Sequence, residues 1–94
     1  MITHEEITRA VSKTAKSYPI KKVSYFGSYA EGCATDESDL DVLIEFDLPR
    51  VSLLVLLVIK IELEEMLNIP VDVIRAPLPK ESLIEPRKVV RVYG

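Results

Sequence analysis

Two aspartates, Asp39 and Asp41, have the residue type and spacing that most directly indicate chemistry in this sequence. They lie at the start of Leu40–Phe46, whose alternating apolar and polar residues predict a β-strand. Residues two apart on a strand point to the same face, with Cα atoms about 6–7 Å apart. Two carboxylates this close repel each other unless a cation or a shared proton lies between them. Mg²⁺ prefers such oxygens and completes its shell with water and substrate phosphates, so the pair predicts a metal site for phosphate chemistry.

A third aspartate, Asp72, lies near the start of a second apolar segment, Val71–Arg75, which is predicted as another strand. Two Mg²⁺ ions about 4 Å apart stabilise the attacking and leaving oxygens of a phosphoryl-type displacement. We expect Asp72 to bind the second ion and to help deprotonate an acceptor hydroxyl. Taken alone, Asp72 also fits an exposed charge on an edge strand.

Gly27 and Ser28, directly after the predicted strand Lys21–Phe26, supply the other half of the candidate site. A glycine lets the backbone approach a ligand closely, and N–H groups at the start of a following helix attract phosphate oxygens. The Ser28 hydroxyl can donate a further hydrogen bond. Gly-Ser alone is a weak signal, but its combination with a D-x-D motif between two apolar strands is specific.

The elements around these motifs predict a mixed α/β fold, with a small mixed sheet flanked by helices. Strands one and two are joined by about a dozen residues, which permits antiparallel pairing, whereas a helix joins strands two and three and favours parallel pairing. Both connections bring the candidate residues to one end of the sheet. The tail KVVRVY fits either an edge strand or a frayed helix, and Pro77, Pro79 and Pro86 keep the preceding segment irregular or in short helical turns.

Two helices are predicted from their caps. Thr3 and Glu6 have capping-box spacing and begin a helix that ends near Ser17. Ser52 begins a longer helix, residues 53–67. Its first half is apolar all round, which predicts an interface with a partner. Its second half is amphipathic. The predicted inward face consists of Ile59, Leu63, Met66 and Leu67, and the predicted solvent face consists of Lys60, Glu62, Glu64 and Glu65.

Composition restricts the class of protein. The 94 residues predict a single domain, 1–94, and the net charge of −3 argues against a nucleic-acid binder. A single cysteine, Cys33, excludes an internal disulfide framework. The apolar run Leu53–Ile59 is too short to span a membrane, and polar residues directly after Met1 argue against a signal peptide. We therefore expect a cytoplasmic protein that does not bind a membrane.

The run GSYAEGCATDESDLDVLIEF, from Gly27 to Phe46, resembles the signature of the polymerase-beta-like nucleotidyltransferase superfamily. It is most similar to that of the minimal nucleotidyltransferases (MNT), which are usually antitoxins of HEPN toxins in prokaryotes. The resemblance implies that Gly27 and Ser28 hold the triphosphate of ATP and that Asp39, Asp41 and Asp72 bind two Mg²⁺ ions. It also implies a type VII-like antitoxin that transfers AMP to a tyrosine of a HEPN partner and forms a hetero-oligomer with it.

The sequence departs from this family where many relatives have arginine and this chain has Glu31. An acidic residue near bound triphosphate would weaken nucleotide affinity unless it points away. The first half of the long helix is also more hydrophobic than the same helix in most relatives. These two features keep open a second function, an antitoxin that neutralises its partner by binding alone. A third candidate function is that of a nucleotide-transferring module with RNA as the acceptor. It is the least consistent of the three with the net negative charge of the chain.

Overall fold

Helices and strands alternate along the chain in the computed structural model, which describes residues 2–76 and 88–94. In chain order the elements of these ranges are α1 (His4–Ala15), β1 (Ile20–Phe26), α2 (Ser28–Glu31), β2 (Leu40–Phe46), α3 (Leu53–Leu67), β3 (Val71–Arg75) and β4 (Val90–Tyr93). The predicted strands and both predicted helices are confirmed. The tail, which the sequence left open, forms strand β4. The three prolines assigned to an irregular segment lie outside the described residues.

The long helices begin and end at residues that satisfy their terminal backbone groups. The Thr3 hydroxyl accepts a hydrogen bond from the Glu6 N–H at 3.2 Å, and the Ser52 hydroxyl accepts one from the Leu54 N–H at 3.0 Å. Asn68 ends α3 in the left-handed conformation with φ of 57°, and its N–H donates to the Glu64 carbonyl at 2.7 Å. Helix α1 ends at Ala15, two residues before the predicted end.

The strands form one sheet in the order β3-β2-β1-β4. β1 pairs with β2 antiparallel and β2 pairs with β3 parallel, as the connections predicted. β4 pairs antiparallel with the other side of β1. Helix α3 is the crossover between the two parallel strands. The end of β1 and the starts of β2 and β3 therefore lie at the same end of the sheet.

The core lies between one face of the sheet and the helices α1 and α3. Strand β2 shows the two faces most clearly, because its core-facing side chains are at most 7% exposed and consist of Leu40, Val42, Ile44 and Phe46. The alternating residues, which begin with Asp41, are half-buried on the opposite face. Among the described residues, none of the helices has the length and apolar composition needed to cross a bilayer.

The prediction that Met66 faces inward was wrong, because its side chain is 40% exposed. Ile59, Leu63 and Leu67 are spaced four residues apart and form the buried face of α3. Met66 precedes Leu67 by one residue, which turns it about 100° around the helix axis. It therefore lines an open groove beside Arg9 of α1 instead of the core.

Candidate active site

Gly27 brings the end of β1 against the carboxylate of Asp41. Phe26 and Asp41 are paired across the antiparallel strands, and Gly27 follows with φ of 75° and ψ of −151°. A Cβ atom at position 27 would overlap the Asp41 Oδ2 atom and would lie 3.4 Å from its Cγ atom. Glycine is therefore required here for two reasons, its backbone conformation and the close approach of the carboxylate.

Asp41 and Asp72 are paired residues on the neighbouring parallel strands β2 and β3. Adjacent strands lie about 4.8 Å apart, so the two carboxylates leave the same face of the sheet side by side. Burial raises the pKa of the Asp41 carboxyl, and the negative charges of Asp72 and then Asp39 raise it further. The three aspartates therefore place several carboxyl groups at this end of the sheet.

Asp39 and Ser28 are the remaining predicted site residues, and each is next to a residue of the site in sequence, Asp39 two residues before Asp41 and Ser28 directly after Gly27. Asp39 is exposed one residue before β2, and Ser28 is half-buried as the first residue of α2. Within residues 2–76 and 88–94, no three His, Cys, Asp or Glu side chains are close enough together to hold one metal ion. Mg²⁺ in proteins is usually bound by one or two carboxylates with water and phosphate oxygens. The facing carboxylates of Asp41 and Asp72 fit that donor set.

An open cleft of about 480 Å³ lies at this site, and its lining consists of Phe26, Asp41, Lys60, Asp72, Val73 and Ile74. Among these lining residues, Lys60 carries the positive charge. Sequence analysis assigned Lys60 to the solvent face of α3, where it is in fact half-buried. The residue was missed because no local pattern connects a position on α3 with the start of the following strand. The packing of the crossover helix against β3 makes that connection.

A carboxylate on α3 fixes the start of β3. Glu64 Oε2 accepts hydrogen bonds from the backbone N–H of Val71 at 3.0 Å and from the Lys60 ammonium at 2.9 Å. Val71 directly precedes Asp72, so this bond holds the strand that carries the third aspartate. The hydrogen bond from Val71, followed by that from Lys60, lowers the pKa of the Glu64 carboxyl below its ordinary value.

Replacement of Glu64 by glutamine is expected to lower the Tm by a few degrees at pH 7. The folded pKa is below the unfolded one, so the ionised carboxylate stabilises the fold above the unfolded pKa, and this contribution is lost as the pH falls through the folded pKa. The difference in Tm between wild type and Glu64→Gln should therefore shrink in thermal melts near pH 4. Glu65→Gln makes the same charge change at an exposed neighbour and should match wild type. A difference that is independent of pH would contradict the role of the charge.

Tyr25 and His4 form a polar contact that sequence analysis did not predict. The buried Tyr25 hydroxyl lies 2.9 Å from His4 Nδ1, and the rings are 5.9 Å apart between centroids. Burial is the main cause that raises the pKa of the Tyr25 hydroxyl, and the charge of Glu5 adds to it. The contact joins the start of α1 to the strand that ends at the site, which is a structural role.

The nucleotidyltransferase domain family matches residues 5–93 of this sequence. The chain belongs to this family. The matched region includes every residue of the cleft and both motifs, Gly27–Ser28 and Asp39–Asp41. The prediction of a nucleotidyltransferase from sequence is therefore confirmed.

Two relatives match this nucleotidyltransferase over most of its length. A Methanocaldococcus jannaschii protein, named as a candidate protein adenylyltransferase, is 42% identical over 84% of this chain and 88% of its own length. The protein adenylyltransferase MntA of Thermococcus cleftensis is 31% identical over 98% of both chains. The resemblance to minimal nucleotidyltransferases is confirmed by these relatives.

The fold of this nucleotidyltransferase also matches a solved complex of a tri-AMPylated Shewanella oneidensis HEPN toxin with an MNT antitoxin. The TM-score is 0.72 with 14% identity, and the superposition covers 98% of this chain and 73% of the matched chain. The likeness at this identity concerns the fold. It confirms the mixed sheet flanked by helices.

Proposed function

We propose that this nucleotidyltransferase transfers AMP from ATP, with Mg²⁺, to a tyrosine hydroxyl of a HEPN-family toxin and thereby acts as its antitoxin. The observation that carries the proposal is the pairing of Asp41 with Asp72 beside Gly27. The name of the MntA relative, protein adenylyltransferase, supports transfer of AMP to a protein. The AMPylated HEPN toxin in the Shewanella oneidensis complex supports the class of acceptor.

The residues of the cleft have distinct roles in this reaction. Asp41 and Asp72 would hold one Mg²⁺ and Asp39 would contribute to a second, and these ions when bound would neutralise charge on the phosphate oxygens. The backbone at Gly27 and the hydroxyl of Ser28 bind the triphosphate. Asp72 accepts the proton as the tyrosine oxygen bonds to the α-phosphorus, and the bond to the bridging oxygen breaks to release pyrophosphate. The product is a tyrosine that carries AMP through a phosphodiester.

The acceptor must provide much of its own binding surface, because the cleft is open and formed by a small sheet. The outer face of α3 is the surface we propose for this partner. Its exposed apolar side chains are Leu53 (82% exposed), Leu54 (66%), Leu57 (49%) and Ile61 (45%). Three of them are spaced four residues apart, so they lie along one side of the helix. A helical face of this kind is stabilised when a partner covers it, as a stable hetero-oligomer would.

The reaction is tested with the purified protein, a HEPN-family protein from the same organism, ATP and Mg²⁺. Mass spectrometry of the HEPN protein should show a gain of one or more AMP units, and fragmentation should locate them on tyrosine. A reaction without Mg²⁺, made by adding EDTA, should show none. An unchanged mass, with both proteins folded and bound to each other, would contradict the proposal.

Neutralisation by binding alone is the second candidate function, and the exposed face of α3 favours it. The exposed Glu31 at the end of α2 is consistent with either function, because its side chain points to solvent. The two functions differ in their need for the carboxylates. If binding suffices, the double variant Asp39→Asn, Asp41→Asn still protects cells from the toxin. If AMP transfer is required, the double variant loses protection although it still forms the complex.

A further inference from the structure

Lys60 of α3 lines the same cleft as Asp41 and Asp72. Its ammonium is 2.9 Å from Glu64 Oε2, and the same oxygen accepts the Val71 N–H at 3.0 Å. Glu64 therefore links the Lys60 ammonium to the backbone N–H of Val71, the residue before Asp72. The Lys60 side chain is 36% exposed and forms part of the cleft lining.

The negative charge of the cleft would be stabilised by a positively charged side chain. Asp41 and Asp72 line it, and both are negative, as are the phosphates of any nucleotide that enters. An ammonium has three N–H donors, and Lys60 uses one on Glu64 among the described residues. The other donors are available to phosphate oxygens, for which lysine is a frequent ligand.

We infer that the Lys60 ammonium binds the polyphosphate of the nucleotide substrate, with Glu64 holding it at the mouth of the cleft. The inference rests on the proposed function, because it assigns one further contact to the same substrate. A surface ion pair between residues four apart is the alternative, in which Lys60 serves only the helix. These two roles of Lys60 predict different affinities for the nucleotide when each partner of the pair is changed separately.

The test measures the affinity for the α,β-methylene analogue of ATP with Mg²⁺ by isothermal titration calorimetry. Lys60→Gln should weaken binding by about tenfold or more, as expected for loss of a hydrogen bond to a charged group. Lys60→Arg should recover most of the affinity. Lys21→Gln, the matched control, removes the same charge from the opposite end of β1, where Lys21 pairs with Glu45 at 3.6 Å, and should bind as wild type does.

Glu64→Gln separates the two roles, because it removes the negative charge of residue 64, keeps an oxygen that can accept the hydrogen bond from Lys60, and leaves the Lys60 charge unchanged. The inference expects Glu64→Gln to weaken binding less than Lys60→Gln does, because the phosphate-binding charge is still present, whereas a purely structural pair would weaken binding equally in both variants. Equal loss in Lys60→Gln and Glu64→Gln, or no loss in Lys60→Gln, would overturn the inference and leave the proposed function intact. A wild-type protein that binds no analogue at all, while thermal melts show it folded, would refute both.

Discussion

Asp41→Asn is expected to lower the rate of AMP transfer by about a thousandfold, the equivalent of about 4 kcal/mol of transition-state stabilisation. Asp41 is in contact with the Gly27 backbone and is paired with Asp72, so it is the carboxylate at the centre of the site. The amide keeps the size of the side chain and removes the charge that a divalent cation requires. The rate is measured as the initial gain of AMP on the HEPN protein.

The fold of the Asp41→Asn variant should survive, which separates this effect from unfolding. Burial and two neighbouring carboxylates raise the pKa of Asp41, so the ionised form is disfavoured in the folded protein without metal. The Tm in EDTA should therefore equal or exceed that of wild type. Asp47→Asn makes the same substitution just beyond the opposite end of β2 and should keep full activity. A variant of Asp41 that retains a tenth of the wild-type rate would refute its assigned role.

Gly27→Ala is expected to cost about 3 kcal/mol of folding free energy or more and to abolish AMP transfer. The backbone at φ of 75° and ψ of −151° is a region that residues with a Cβ rarely enter. The added Cβ would also overlap Asp41 Oδ2, so the carboxylate has to move away from its position beside Asp72. Chemical denaturation measures the stability, and the mass assay measures the transfer.

Gly32→Ala is the matched control for this substitution. Gly32 has the same φ of 75°, but its ψ of 18° is ordinary left-handed backbone, and a Cβ there meets nothing within 4 Å. We expect a cost of about 1–2 kcal/mol and unchanged transfer at temperatures where the variant is folded. If the two alanine variants lose equal stability and equal activity, the contact between Gly27 and Asp41 has no special role.

The central strands and their caps could be predicted because each depends on residues close in sequence. The alternation of Leu40–Phe46 is decided by neighbours two positions apart, and the Ser52 cap by an N–H two residues later. The end of the chain could not be decided in this way. Strand β4 depends on pairing with β1, which lies more than sixty residues earlier, and its own pattern fits two structures. The inward assignment of Met66 failed because helix spacing fixes angles around an axis but not the width of the buried face.

By itself, the sequence determined the kind of chemistry, because residue type and spacing place Asp39 and Asp41 on one strand face and put Gly27 where a strand ends. The α3 crossover and the parallel pairing decided that Asp72 lies beside Asp41 and that Lys60 lines the same cleft as both. These residues are far apart along the chain, so only the packing of a helix against a sheet edge brings their charges together. Local preferences act over a few residues, whereas an open cleft is formed by long-range contacts.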